Sequence, residues 1–414
     1  MRILMLTPQL PYPPRQGTAL RNWGILSHLA RERQHEVWLL SFDEPREAQA
    51  SGSPIAPELQ AACAQIAVFA PPPRTPRTRL RTLLTSPLPD MAWRLWSPEA
   101  AAKYRAWASE NRFDIIQVEG IELARYALDA GAGVAAPFVF DDHNCEYLLQ
   151  RRAFETDARQ PRRWHAAAYS LVQWQRLRAF ERRAARAAAA TLTVSAQDAA
   201  ALRDLDARLS PHVIPNGIDV AGYADFAAPA RPSANAAPTL VFTGKMDFRP
   251  NVDAMLWFGR EVFPLIQQAV PEVRLVIMGQ RPSPRLDVLR AQRGVTLTGE
   301  VPDQRPYIAQ ADVYIAPLRV GGGTRFKLLE AMAMRRPIVS TTLGCEGFDV
   351  QHGRELMIGD SPAGFAEAVL QVLHDPALRA GLVQHAYDFV RRRYDWGVIV
   401  PQLERVYQTI SPQR

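Results

Sequence analysis

Hydrophobic positions along this chain fall into short unbroken runs, set apart by longer stretches in which apolar residues recur every three or four positions. The first run is "RILMLTP", followed by the helical pattern "LRNWGILSHLARE" and then by "HEVWLLSF". Further runs are "QIAVFAP", "FDIIQVEG", "PFVFDDHN", "ATLTVS" and "HVIPNGID", with helix-like segments mostly between them. Continuous apolar runs between amphipathic helices predict parallel strands covered on both faces. Around "YADFAAPARPSANAAP" the chain turns Ala/Pro/Ser-rich and loses its periodicity, which predicts a linker. The alternation then restarts with "TLVFTGKM", "VRLVIMG", "VTLTGEV", "DVYIAPL", "RPIVSTT" and "ELMIGD". The expected fold is α/β, two tandem Rossmann-like domains over residues 1–218 and 219–394, facing each other across a cleft.

Bulk properties narrow this picture without changing it. The 414 residues suit two domains, and 47% hydrophobic with 22% charged residues is ordinary for a soluble globular protein. No apolar run approaches the ~20 residues of a membrane-spanning helix, and "ILML" is too short for a secretory signal. Cys63, Cys145 and Cys345 lie far apart in no metal-ligand spacing, which points to a reduced, cytoplasmic setting without a bound metal. The formal charge of +7 is unevenly spread: residues 151–186 hold ten arginines against three acids, interleaved with Trp164, Tyr169, Trp174 and Phe180. Such a segment is either a solvated surface helix or a contact for an anionic membrane surface, an acidic partner or nucleic acid. Nucleic acid ranks last, because nothing else in the chain points to it.

In doubly wound sheets, ligands bind beyond the carboxyl ends of the strands, where strand order reverses. The candidate residues follow strands. Gly17 sits at a loop-to-helix junction after the first strand, where backbone amides can approach an anion or the glycine simply turns the chain. "DDHN", Asp141 to Asn144, offers carboxylates beside His143 for proton transfer or hydroxyl orientation; alternatively Asp142 caps the next helix. Gly244, Lys245 and Arg249 lie between a strand and a helix, where a diphosphate can meet amides and cations together. "LTGEVPDQ", with Glu300 and Val301, presents backbone that can pair with a base edge, and Asp303 is expected to cap the next helix. In "GGGTRFKLLEAMAMRRP", Gly321, Gly322 and Gly323 leave amides unobstructed, Thr324 is the expected N-cap, and Lys327 and Glu330 share a helix face. An ion pair at that spacing contributes only ~0.2–0.5 kcal/mol. A cation for a diphosphate and a carboxylate for ribose accounts for the pair and the glycines together.

These segments resemble the retaining GT-B glycosyltransferases of glycosyltransferase family four over nearly the full length. The glycine-bearing loop after "RILMLTP" carries the resemblance, with "VSAQD", "VIPNGID", "FTGKMDFRPN", "LTGEVPD" and above all "GGGTRFKLLEAMAMRRPIVST". The closing "YDWGVIVPQLERVYQ" is similar to the C-terminal helix (395–414 here) that crosses back onto the first domain in that fold. More weakly, the chain resembles the branch associated with bacterial exopolysaccharide and PEP-CTERM/exosortase systems. The resemblance implies that Glu330 binds the donor ribose, that Lys327 and the cations after "FTG" hold the diphosphate, that Arg325 also belongs to the donor site, that Gly17 lets its loop close on the diphosphate, and that His143 faces the reacting sugar. It implies a nucleotide-sugar donor, a glycan or lipid-linked acceptor, retention of configuration, and no cofactor or metal. The family's first motif glutamate would lie eight positions before Glu330, where this chain has Gly322; that departure bears on the donor sugar. Two other readings share the donor site: a nucleotide-sugar epimerase, and a catalytically silent nucleotide-sugar-binding subunit.

Overall fold

The computed structural model describes residues 1–14, 17–43, 55–131, 133–158, 164–226, 237–321 and 325–411. Each apolar run forms a strand. In the first half these are β1 (Arg2–Thr7), β2 (Glu36–Phe42), β3 (Gln65–Phe69), β4 (Ile115–Glu119), β5 (Phe138–Asp142), β6 (Ala190–Thr193) and β7 (His212–Val213). They make one parallel sheet in the order β3-β2-β1-β4-β5-β6-β7, so strand order reverses between β1 and β4. The second half contributes β8 (Thr239–Thr243), β9 (Arg274–Met278), β10 (Val295–Gly299), β11 (Val313–Ala316), β12 (Ile338–Ser340) and β13 (Met357–Ile358). Their sheet is also parallel, ordered β10-β9-β8-β11-β12-β13, with the reversal between β8 and β11.

The unbroken character of the runs has a direct cause. Successive strand residues point to opposite faces, and both faces of each sheet are covered. In β8, Leu240 and Phe242 enter one core with Leu275, Ile277 and Phe263. Val241, between them, enters the other with Tyr314, Leu328 and Met332. Several covering helices start on side-chain caps: Ser97 accepts from Ala100 N, Ser195 from Asp198 N and Ser361 from Gly364 N. Each cap of this kind stabilises its helix by roughly 1 kcal/mol.

The chain divides into two compact units, Met1–Asn216 with Ile399–Arg414, and Gly217–Val398. The second boundary falls inside the last helix, Trp396–Ile410. In the first unit this helix supplies Glu404, which pairs with Arg33 (2.6 Å) and His35 (2.7 Å), and the fully buried Tyr407. The expected linker is only partly one. Tyr223 and Phe226 pack against the second unit's core, beside a short helix at Val220–Ala224, while residues 227–236 lie outside the described set. No helix among the described residues is long and apolar enough to cross a membrane.

Candidate functional site

In the second unit the loops after β8 and β9 meet backbone to backbone. Gly244 N donates to Met278 O (3.0 Å), and a Cβ on Gly279, whose φ is +152°, would fall 1.6 Å from the Gly244 carbonyl oxygen. A Cβ on Gly244 would lie 2.7 Å from Asn251 Nδ2 and 3.0 Å from Lys327 Nζ. The bare backbone at Gly244 therefore leaves room for two polar side chains to converge on it. Asn251 links them, donating from Nδ2 to Lys245 O (2.9 Å) and accepting at Oδ1 from Lys327 Nζ (3.0 Å).

Lys327 belongs to the helix Phe326–Ala333, whose strongly apolar inner side buries Leu328, Leu329 and Met332. Its ammonium lies 4.1 Å from the Phe242 ring centroid, over the aromatic face. Burial, and then the charge of Arg325, lower its pKa to about 7, with Glu330 opposing them. Glu330 is also buried, and its Oε1 accepts from Tyr223 Oη (3.0 Å) and Gln304 Nε2 (2.7 Å). Burial raises this carboxyl to about 7 against the pull of Tyr223, Lys327 and Gln304. Lys327 and Glu330 are thus held by different partners rather than by a direct pairing with each other. The residue preceding this helix is Arg325, which is buried and makes no side-chain cap. Gly322, Gly323 and Thr324 lie outside the described residues. Gly321 has φ +105°, and a Cβ there would approach Pro250 Cγ to 3.1 Å.

The other residues expected in the second unit are more peripheral. Lys245 is exposed and 3.7 Å from Asp247; Arg249 is exposed at the start of the helix Arg249–Trp257. Glu300 is exposed and Val301 partly buried, just after β10. Asp303 Oδ1 accepts from Arg305 N (2.9 Å), and its Oδ2 pairs with the Arg305 guanidinium (2.8 Å); the formal cap position is Gln304. Asn251, Gln304 and Tyr223 were not singled out from sequence. Two lay inside quoted motifs, "FRPN" and "GEVPDQ", whose spacing marked the place; Tyr223 was hidden by the linker-like composition around it.

In the first unit, Gly17 opens the helix Gly17–Ser27 and is exposed. One turn on, the buried Arg21 reaches Asp141 Oδ2 at 2.7 Å and also donates to Ile214 O, Pro215 O and Asn216 Oδ1. His143, just past β5, places Nε2 2.6 Å from Oε2 of the fully buried Glu119 at the end of β4. Burial pushes the His143 pKa down, but the Glu119 hydrogen bond and the charges of Asp141 and Glu119 outweigh it, so the net direction is up. Asp142 is no helix cap: it is the last residue of β5 and buried. The cap comes from Glu181, whose two oxygens accept from Glu146 N and Tyr147 N, both at 2.9 Å. Burial, and then the negative charge of Glu181, push the Asp142 carboxyl well above its ordinary value.

The arginine-rich segment forms parts of two packed helices, Glu146–Ala158 and Trp164–Ala187. A third helix, Pro76–Thr85, buries none of its residues and is tied to the second by Arg79 Nη2 to Tyr169 Oη (2.9 Å) and Arg176 Nη2 to Leu83 O (2.8 Å). Leu80 (57% exposed), Leu84 (76%) and Trp164 (67%) stand out in solvent among these arginines.

Comparison with known proteins assigns both halves. Residues 17–221 match the model described as Glycosyltransferase Family 4, and residues 237–375 match Glycosyl transferases group 1. The chain is 29% identical over 400 residues to a phosphatidyl-myo-inositol mannosyltransferase of Mycolicibacterium smegmatis, covering 90% of this chain and 92% of that one. It is 27% identical to the protein of the same name from Mycobacterium leprae, covering 90% and 95%. Among solved structures, Anabaena HepE in complex with UDP-glucose superposes with a TM-score of 0.66 at 18% identity, covering 99% of this chain and all of that one. Sucrose-phosphate synthase from Thermosynechococcus elongatus gives 0.70 at 16% identity, covering 99% and 98%. These structural neighbours share the two-domain GT-B fold.

Proposed function

Because the chain belongs to glycosyltransferase family four, we propose that it moves a sugar from a nucleoside-diphosphate donor to an acceptor hydroxyl, with retention of configuration and without a metal. The observation that carries this reading is the pairing, one helical turn apart, of a cation beside bare glycine backbone and a buried carboxylate. Lys327, at Gly244 and Asn251, is assigned to the diphosphate, and Glu330, between Tyr223 and Gln304, to the ribose. A charge-assisted hydrogen bond of either kind contributes ~1.5–3 kcal/mol. As the diphosphate leaves, negative charge grows on its oxygens, and an ammonium held in place by Asn251 stabilises that charge where it develops. His143 is assigned to the transferred sugar. On this reading the cation performs the charge neutralisation that a divalent metal performs elsewhere.

The acceptor is proposed to be lipid-linked and met at an anionic bilayer surface. The mycobacterial relatives are named for phosphatidyl-myo-inositol. In this chain, residues 71–89 contain four arginines, of which Arg74 and Arg79 pair with Asp90 while Arg77 and Arg81 stand on the helix that leaves Leu80 and Leu84 unburied. An exposed apolar pair one turn apart, flanked by arginines, is complementary to an anionic headgroup layer.

A thermal-shift screen of nucleotide sugars tests the donor assignment. A true donor at a hundred times its dissociation constant stabilises the fold by ~2.7 kcal/mol. Stabilisation that is equal in wild type and Lys327→Ala contradicts the assignment.

A further inference from the structure

Behind His143 the buried polar groups of the first unit form a continuous line. Tyr407 Oη, in the last helix, donates to Gln117 Oε1 at 3.0 Å. Gln117 Nε2 donates to Glu119 Oε1 at 2.8 Å, and Glu119 Oε2 meets His143 Nε2 at 2.6 Å. Tyr407, Gln117 and Glu119 have no solvent exposure. Gln117 and Glu119 are two residues apart on β4 and therefore project from one face of the sheet.

Each link in this line has a fixed direction. An ionised Glu119 only accepts, so it takes the Gln117 amide nitrogen, which turns the amide oxygen toward the Tyr407 hydroxyl and makes that hydroxyl the donor. Glu119 then has one oxygen committed to Gln117 and one to His143. A buried carboxylate at 2.6 Å requires a proton on Nε2, which leaves Nδ1 as the second ring nitrogen. Buried carboxylates are strongly disfavoured unless paired, so the imidazole and Glu119 hold each other in place.

We propose that Glu119 is the positioning residue for His143, fixing its ring orientation and its Nε2–H form, and that Tyr407 acts on the same site through Gln117. The catalytic consequence rests on the assignment of His143 to the transferred sugar; the effect on the imidazole itself does not. Other charges facing His143 are Asp141 on the preceding strand, Arg21 from the first helix and Glu146 from the helix that follows, and all three are retained in the variants below.

The test follows the His143 imidazole by proton–nitrogen NMR, with His143→Gln identifying the signal, in wild type, Glu119→Gln and Tyr407→Phe. In Glu119→Gln the imidazole is expected to titrate roughly one pH unit lower and its Nε2–H preference to weaken. Tyr407→Phe, which keeps the buried ring, shifts it in the same direction by less. With a turned-over donor, kcat falls on the order of 10²-fold in Glu119→Gln while the donor KM stays near wild type. A His143 titration and tautomer identical to wild type in both variants overturns the proposal, even if one of them melts earlier. If wild type turns over no donor, the transferase reading fails and the titration still decides the role of Glu119.

Discussion

Lys327 holds its ammonium 3.0 Å from Asn251 Oδ1, above the face of Phe242, beside the bare backbone of Gly244. Among the described residues, no carboxylate forms a salt bridge with it. With a pKa lowered to about 7 by burial and by Arg325, this cation is poised between its two protonation states. On the proposed assignment, an incoming diphosphate would supply negative charge beside it and draw a proton onto it.

The affinity for a nucleoside diphosphate should therefore fall as pH rises above 7. Lys327 is a base with a depressed pKa: below 7 it is charged and attracts the ligand, and above 7 it is neutral. Calorimetry of UDP as probe at pH 7 and pH 9, in buffers of different ionisation enthalpy, should show weaker binding at pH 9 and net proton uptake near pH 7. Lys327→Ala should flatten the alkaline limb and weaken diphosphate binding more than nucleoside binding. Equal losses for both ligands would remove Lys327 from the phosphate site.

Glu330→Ala should weaken nucleotide-sugar binding by ~1.5–3 kcal/mol in a protein that remains folded. Tyr223→Phe keeps the ring but withdraws a donor from Glu330 Oε1, so a smaller loss of affinity is expected. Unchanged donor affinity in both variants, measured by calorimetry, would take Glu330 out of the site.

The glycines separate by position. Gly279→Ala places a methyl group 1.6 Å from the Gly244 carbonyl oxygen, which forces the two loops apart. A clearly lowered melting temperature is expected, corresponding to roughly 1–3 kcal/mol. Gly321→Val, on an exposed residue with φ +105°, should keep most of its melting temperature and lose transfer, since the strain falls on the loop and not on the core. Near-normal turnover in Gly321→Val would reduce that loop to a simple turn.

Binding to anionic liposomes should depend on both the arginines and the exposed leucines of residues 76–85. Each arginine near the surface contributes ~1 kcal/mol, diminishing with salt. Arg77→Gln with Arg81→Gln, and separately Leu80→Ser with Leu84→Ser, should each reduce sedimentation with anionic vesicles. Equal sedimentation of wild type and both variants would rule this surface out.

The central strands, such as β1, β8 and β11, were legible because each is buried on both faces, so the run is largely apolar and stops at Gly, Pro or a polar cluster. "TLVFTG" is such a run, and its two faces enter two different cores. The linker was misread at its start: Tyr223 sits among alanines and a proline, and no local period reveals that it turns inward to Glu330. Glu119 was hidden differently. In "IIQVEG" the polar residues alternate with apolar ones as in a half-exposed strand, whereas the structure buries both faces and spends the polar one on a hydrogen-bond line. The supporting residues of a site come from distant chain positions, 107 residues apart for Tyr223 and Glu330, and spacing within one motif carries no record of them.

The most direct test of the account is transfer itself. A nucleotide sugar selected by the thermal-shift screen is incubated with the protein, excess chelator and a lipid or glycan acceptor, and the product is read by NMR. The account predicts stoichiometric nucleoside diphosphate and a glycoside with the anomeric configuration of the donor, both lost in Lys327→Ala. A glycoside of inverted configuration, activity that returns only with magnesium or manganese, or conversion of the donor to an isomer without any acceptor would contradict it.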